Sequence, residues 1–131
     1  MTREIKFRAK VKHHDPMRNP ENGWVEGYYF QDLTQGEMRS YIFQPPCSWE
    51  VIPETVGQFT GLLDKTGKEI WENDIVDLDG VKMFVEFIDG GFYARENYEG
   101  AALHDLFFEH DEINVISNIF DNPELLKTET L

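Results

Sequence analysis

Apolar and polar side chains alternate with a period of two from the start of the chain. Ile5, Phe7, Ala9 and Val11 interleave with Lys6, Arg8, Lys10 and Lys12, which predicts a strand with one buried and one wet face. Residues 13–23 hold Pro16, Pro20 and an Asn22-Gly23 step, the composition of a turn-rich connection. The aromatic run Trp24-Val25-Glu26-Gly27-Tyr28-Tyr29-Phe30-Gln31 predicts a second strand. It places Trp24, Tyr28 and Phe30 on one face and Val25 and Tyr29 on the other. A polar loop over 33–37 with Gly36 leads into a strand over 38–44. Pro45-Pro46 ends that strand, because proline cannot donate to a ladder. A short strand is expected over 49–52 and a firmer one over 58–63. Asp64-Lys65-Thr66-Gly67 then has the make-up of a tight turn with Gly67 left-handed. Ile70 and Trp71, a Glu72-Asn73-Asp74 corner and residues 75–78 follow. Asp79-Gly80 and Asp89-Gly90-Gly91 bracket the alternating segment 81–88 before a strand over 92–95. Between 97 and 111 the pattern weakens, and two helical turns compete with a loop plus a short strand. A strand returns over 112–120. Asn122 then stands as a cap, Pro123 at the first helical position and Glu124 near the positive end of a short helix.

Many short strands with turn residues between them predict a mainly β chain built as a small barrel. At 131 residues it is the size of one domain, long enough to form a core without metal or disulfide staples. No apolar run approaches the ~20 residues of a membrane-spanning helix, and the first residues contain no secretory apolar segment. Cys47 is the only cysteine, so an internal disulfide is excluded and a reducing, cytoplasmic setting is expected.

Charge changes the functional picture. With 12 Lys+Arg against 25 Asp+Glu, the formal charge is −13, which argues against binding nucleic acid through its phosphates. Residues 1–20 nevertheless carry six basic and two acidic side chains, leaving the rest of the chain at −17. The basic residues either keep an edge strand from aggregating or form an arm that docks on an acidic surface, its own or a neighbour's.

Candidate chemistry is sparse. His13-His14-Asp15 has metal-ligand residue types, but adjacent strand residues point to opposite faces. His104 and His110 lie among Asp105, Glu109, Asp111 and Glu112 without the paired spacing of a zinc site. Asp77, Asp79, Gly80 and Glu86 overlay part of a calcium loop, but Ile75 stands where the first ligand belongs. Asp74 is read as a turn aspartate that accepts backbone N–H bonds. Cys47 lacks a basic neighbour to activate it, and no glycine run matches a phosphate-binding loop. No metal, no cofactor and no catalytic set are expected, hence a non-enzymatic protein.

Several stretches together resemble the YopX family of phage and prophage proteins. They are Ile5-Lys6-Phe7-Arg8-Ala9, Trp24-Val25-Glu26-Gly27-Tyr28-Tyr29, Val56-Gly57-Gln58-Phe59-Thr60-Gly61-Leu62, the run from Asp64 to Val76, and Ile119-Phe120-Asp121-Asn122-Pro123-Glu124-Leu125. Asn73 stands where that family usually has glycine, and asparagine tolerates a left-handed backbone best after glycine. The resemblance implies a small SH3-type β-barrel in the C-terminal half with an N-terminal β-strand and hairpin extension. The boundaries are 1–50 for the extension, 51–121 for the barrel and 122–131 for a short helix and tail. It also implies self-association, and no established biochemical activity.

The surplus of aromatics, 14% of the chain, exceeds what a thin barrel can bury. Trp24, Tyr28 and Tyr29, with Lys6, Arg8 and Lys10, are therefore the expected interface residues. The partner is a second copy or a host or phage protein. Other readings are an acidic mimic of DNA that blocks a nucleic-acid enzyme and a hydrolase with a loosely held divalent ion.

Overall fold

The computed structural model describes residues 4–13, 20, 22–97 and 101–126. Its strands are β1 (Phe7–Lys10), β2 (Trp24–Thr34), β3 (Glu37–Gln44), β4 (Cys47–Val51), β5 (Gly57–Leu63), β6 (Glu69–Trp71), β7 (Asp74–Leu78), β8 (Val81–Ile88), β9 (Gly91–Arg95), β10 (Leu103–Asp105) and β11 (Asn114–Asn118). One helical turn, α1 (Leu106–Glu109), and three 3-10 turns complete the described elements. The chain is mainly β, as the alternation predicts. The strands make two antiparallel sheets, of six strands in the order β4-β3-β2-β1-β5-β6 and of five in the order β10-β9-β8-β7-β11. By compactness the chain divides into Met1–Phe59 and Thr60–Leu131. No helix of the described residues is long and apolar enough to cross a membrane.

In the first unit, the apolar side of β1 meets β2 with Ala9 opposite Val25. Ala9, Val25, Ile42, Trp49 and Val51 form a core, flanked by Phe7, Val11 and Tyr29. Gly27 marks the place where β2 changes partner, since residues 24–27 pair with β1 and residues 28–34 pair with β3. A Cβ at Gly27 would lie 2.2 Å from the Phe43 carbonyl oxygen, so only glycine allows so close a backbone approach. The β2–β3 hairpin turns on Gln35 and Gly36 alone, with φ of 52° and 81°. Two such residues in succession match the right-handed twist of the strands, and the loop expected over 33–37 is correspondingly tighter. The end of β4 returns to the end of β1: the Lys12 N–H donates to the Glu50 carbonyl and the Ile52 N–H to that of Lys10, both at 2.9 Å.

The second unit has its own core of Ile70, Val76, Met83, Val85, Ala94, Leu106 and Ile113. Hairpins at Asp79-Gly80 and Asp89-Gly90 again use two left-handed residues each, at the turns expected. The weakly patterned segment contains both competing elements, β10 followed at once by α1. Leu106 and Ile113, fully buried, anchor it.

The small closed barrel expected from the strand pattern is not formed. The five-stranded sheet is open, because its edge strands β10 and β11 are not ladder neighbours. The chain between them contributes Leu106 and Ile113 to the core and makes no ladder across the gap. After β11 the expected helix is a single 3-10 turn at Pro123–Leu126, in which the Leu125 N–H donates to the Asn122 carbonyl at 3.1 Å.

Candidate interaction surface

Register places two sets of side chains on the face of the β1–β4 strands that points away from the core. At one end, Lys10 lies opposite Trp24 and Arg8 opposite Glu26. The Arg8 guanidinium sits 4.9 Å from the Trp24 ring centre and the Lys10 ammonium 5.7 Å from it, both within cation–π range. Lys6 lies 4.9 Å from the centre of the Phe59 ring and 3.7 Å from the Glu26 carboxylate. Each of these three cationic heads therefore lies over an aromatic ring.

At the other end the face is aromatic. Tyr28 stands opposite Phe43 and Phe30 opposite Tyr41. The Phe30 and Tyr41 rings stack, with centres 5.0 Å apart and planes 15° apart. Tyr28 is 66% exposed, Phe30 39% and Phe43 37%. Four rings in a two-by-two block on a sheet surface are large, rigid and able to bury area at small entropic cost.

A polar rim borders this block. Glu50, opposite Tyr41, receives Lys12 at 3.3 Å, His13 at 3.4 Å and Arg39 at 3.5 Å. Burial by itself pushes the Glu50 carboxyl up, but the Lys12 hydrogen bond and the charges of Lys12, Arg39 and His13 outweigh it and hold the group below the usual carboxylate range.

Of the expected interface residues, Trp24, Lys6, Arg8 and Lys10 are therefore grouped, and Tyr28 belongs to the aromatic block. Tyr29 turns the other way: its ring packs 5.8 Å from that of Phe7 and its hydroxyl lies 3.2 Å from the Ser40 hydroxyl. Tyr41 and Phe43 escape notice in the sequence. The tight Gln35-Gly36 turn is the signal that could have found them, because it sets the pairing of the two strands.

The acidic corners have structural work. Asp64, 5% exposed, accepts from the Thr66 N–H at 2.9 Å, the Thr66 hydroxyl at 2.8 Å, the Lys68 N–H at 2.9 Å and the Val115 N–H at 2.9 Å. Burial would raise its pKa; the Val115, Thr66 and Lys68 hydrogen bonds together lower it instead. Asp74, buried in its turn, accepts from the Trp71 N–H at 2.7 Å, the role expected of it. Asn73 takes φ of 72°, the left-handed backbone anticipated there. Asp77 accepts from the Gly80 N–H, and Glu86 binds Arg95 at 2.7 Å. His14 and Asp15 lie outside the described residues. Among those described, no three His, Cys, Asp or Glu side chains are grouped to hold a metal.

Two open antiparallel sheets, a separate core in each unit and an aromatic face describe an all-β protein. The profile of the YopX protein family matches residues 6–127, and the chain belongs to that family. It is similar over 96% of its length to the whole of a solved protein, EF1440 from Enterococcus faecalis, with a TM-score of 0.54 and 23% identity. It is similar over 98% of its length to the whole of the solved yopX protein from Bacillus subtilis, with a TM-score of 0.53 and 15% identity. At these identities the likeness is one of fold. No curated protein matches the chain.

Proposed function

We propose that this protein is a non-enzymatic, phage- or prophage-related binding module of the host-cell cytoplasm, acting by self-association or by gripping a host protein through the outer face of β2 and β3. The observation that carries the reading is the block of Tyr28, Phe30, Tyr41 and Phe43, in which Tyr28, Phe30 and Phe43 are exposed and the half-buried Tyr41 stacks on Phe30. Aromatic side chains dominate the energetics of protein contacts, and a cluster of them bordered by charge is the usual form of a binding centre. The engaged carboxylates of Asp64, Asp74 and Glu50 support a scaffold role for the acidic corners. The strand order β11-β7-β8-β9-β10, with helical turns before β11, supports an open, SH3-type arrangement for the second unit. A second reading, an acidic decoy for a DNA-binding groove, draws on the absence of lysine and arginine from residues 96–126.

The test compares the wild type with a Tyr28→Ser/Phe43→Ser variant, in native mass and in proteins retained from host lysate at low and high salt. Loss of assembly or of a stoichiometric partner in the variant supports the reading. Unchanged mass and unchanged partners overturn it, and a partner released by salt alone favours the decoy.

A further inference from the structure

We propose that the β10–α1 turn is a second docking element, independent of the β2–β3 face, built to enter an apolar recess on a basic protein surface. Phe108 is 73% exposed and Phe107 66%. Their rings meet edge to face with centres 5.2 Å apart, so they form one protruding apolar unit.

The turn that carries them is held from beneath. Leu106, immediately before them, is fully buried in the core of the second unit. The Asp105 carboxylate caps the turn by accepting from the Phe107 N–H at 3.0 Å. The His110 N–H donates to the Leu106 carbonyl, and His110 Nδ1 lies 2.7 Å from the Leu63 carbonyl oxygen. Fixing the backbone on both sides of two exposed rings lowers the entropy lost when they are buried by a partner.

Charge selects the partner. Asp105, Glu109, Asp111 and Glu112 flank the two phenylalanines in the sequence, and residues 96–126 contain no lysine or arginine. An anionic lipid surface or a nucleic acid would be repelled by so acidic a segment, so the complement is a protein surface carrying lysine or arginine around an apolar pocket. In a second copy of this chain Lys6, Arg8 and Lys10 already sit over Phe59 and Trp24, so only dispersed exposed lysines such as Lys65, Lys68 and Lys82 would remain to meet the segment.

The probe is a labelled amphipathic helical peptide of lysine and leucine, read by fluorescence anisotropy against the full chain. Its comparators are the same peptide with lysine replaced by glutamate and with leucine replaced by serine. The lysine–leucine peptide is expected to bind at least about tenfold tighter than either comparator, and about tenfold weaker to Phe107→Ser/Phe108→Ser. Glu109→Gln/Asp111→Asn is expected to weaken it and flatten its salt dependence. Because both rings are exposed, the melting temperature of the Phe→Ser variant is expected to stay near wild type, and a Phe→Leu pair is expected to retain part of the affinity. Binding by Tyr28→Ser/Phe43→Ser is expected to be unchanged, which separates this element from the β2–β3 face. Three results overturn the proposal: no binding, equal binding of the serine peptide, or equal binding to the Phe→Ser variant. So does a native mass that falls from dimer to monomer in the Phe→Ser variant, which would make a second copy the occupant.

Discussion

Removing the Asp64 carboxylate tests the hydrogen-bond hub that ties the β5–β6 turn to β11. Four donors converge on it, three from Thr66 and Lys68 in the turn and one from Val115. In Asp64→Ala the three backbone N–H groups lose their acceptor in a site only 5% exposed. Hydrogen bonds to a charged acceptor contribute about 1.5–3 kcal/mol each, but bonds sharing one acceptor are not additive and part of the sum offsets the carboxylate's own desolvation. A net loss of about 3–5 kcal/mol is expected, the range for breaking a buried charged network. That corresponds to a melting temperature lower by roughly 10–20 °C. Asp64→Asn keeps one acceptor for the turn but turns an amide N–H toward the Val115 N–H, for a loss of about 2–3 kcal/mol at neutral pH. The folded pKa of Asp64 is lowered, so its contribution is complete above the unfolded value of about 3.9 and disappears as pH falls through the folded value. Urea unfolding of wild type and Asp64→Asn from pH 7 downward is expected to show the stability gap narrowing below about pH 4. A gap that is constant with pH, or an Asp64→Ala loss under about 1 kcal/mol, refutes the assignment of Asp64 as an ionised hub.

Gly27→Ala places a Cβ against the Phe43 backbone and is expected to cost about 2–3 kcal/mol by overpacking, read from chemical denaturation; a neutral result contradicts the close crossing of β2 and β3. Glu50→Gln removes the charge facing Lys12, His13 and Arg39, with an expected loss of about 1 kcal/mol that shrinks in high salt. Because the folded pKa of Glu50 is lowered, the wild-type advantage is present above about pH 4.3 and fades in acid, as a pH series of the same unfolding curves would show.

Local chemistry made much of the fold legible. The alternation at residues 5–12 and 81–88 and the Asp-Gly turns at 79 and 89 point to strands and hairpins, which form as β1 over Phe7–Lys10, as β8 and as two left-handed turns. The left-handed Asn73 was legible through the family resemblance, in which glycine usually stands there. Sheet closure was not legible, because it depends on which edges meet across the core, and single-strand periodicity carries no such information. The gap between β10 and β11 is bridged by side chains from a segment whose pattern is too short to read. The aromatic face was half legible. Parity on β2 separated Tyr28 from Tyr29, but Tyr41 and Phe43 join the face only through the register of a two-residue turn. Phe107 and Phe108 look like core residues by composition, and only the burial of Leu106 beside them turns them outward.

Hydroxyl-radical footprinting of the chain, dilute and free against assembled or partner-bound, tests the central claim most directly. Tyr28, Phe30, Tyr41 and Phe43 are expected to become protected together, while Tyr29, packed on the core side, stays unchanged. Equal reactivity of those four rings in both states would contradict an interaction face on β2 and β3.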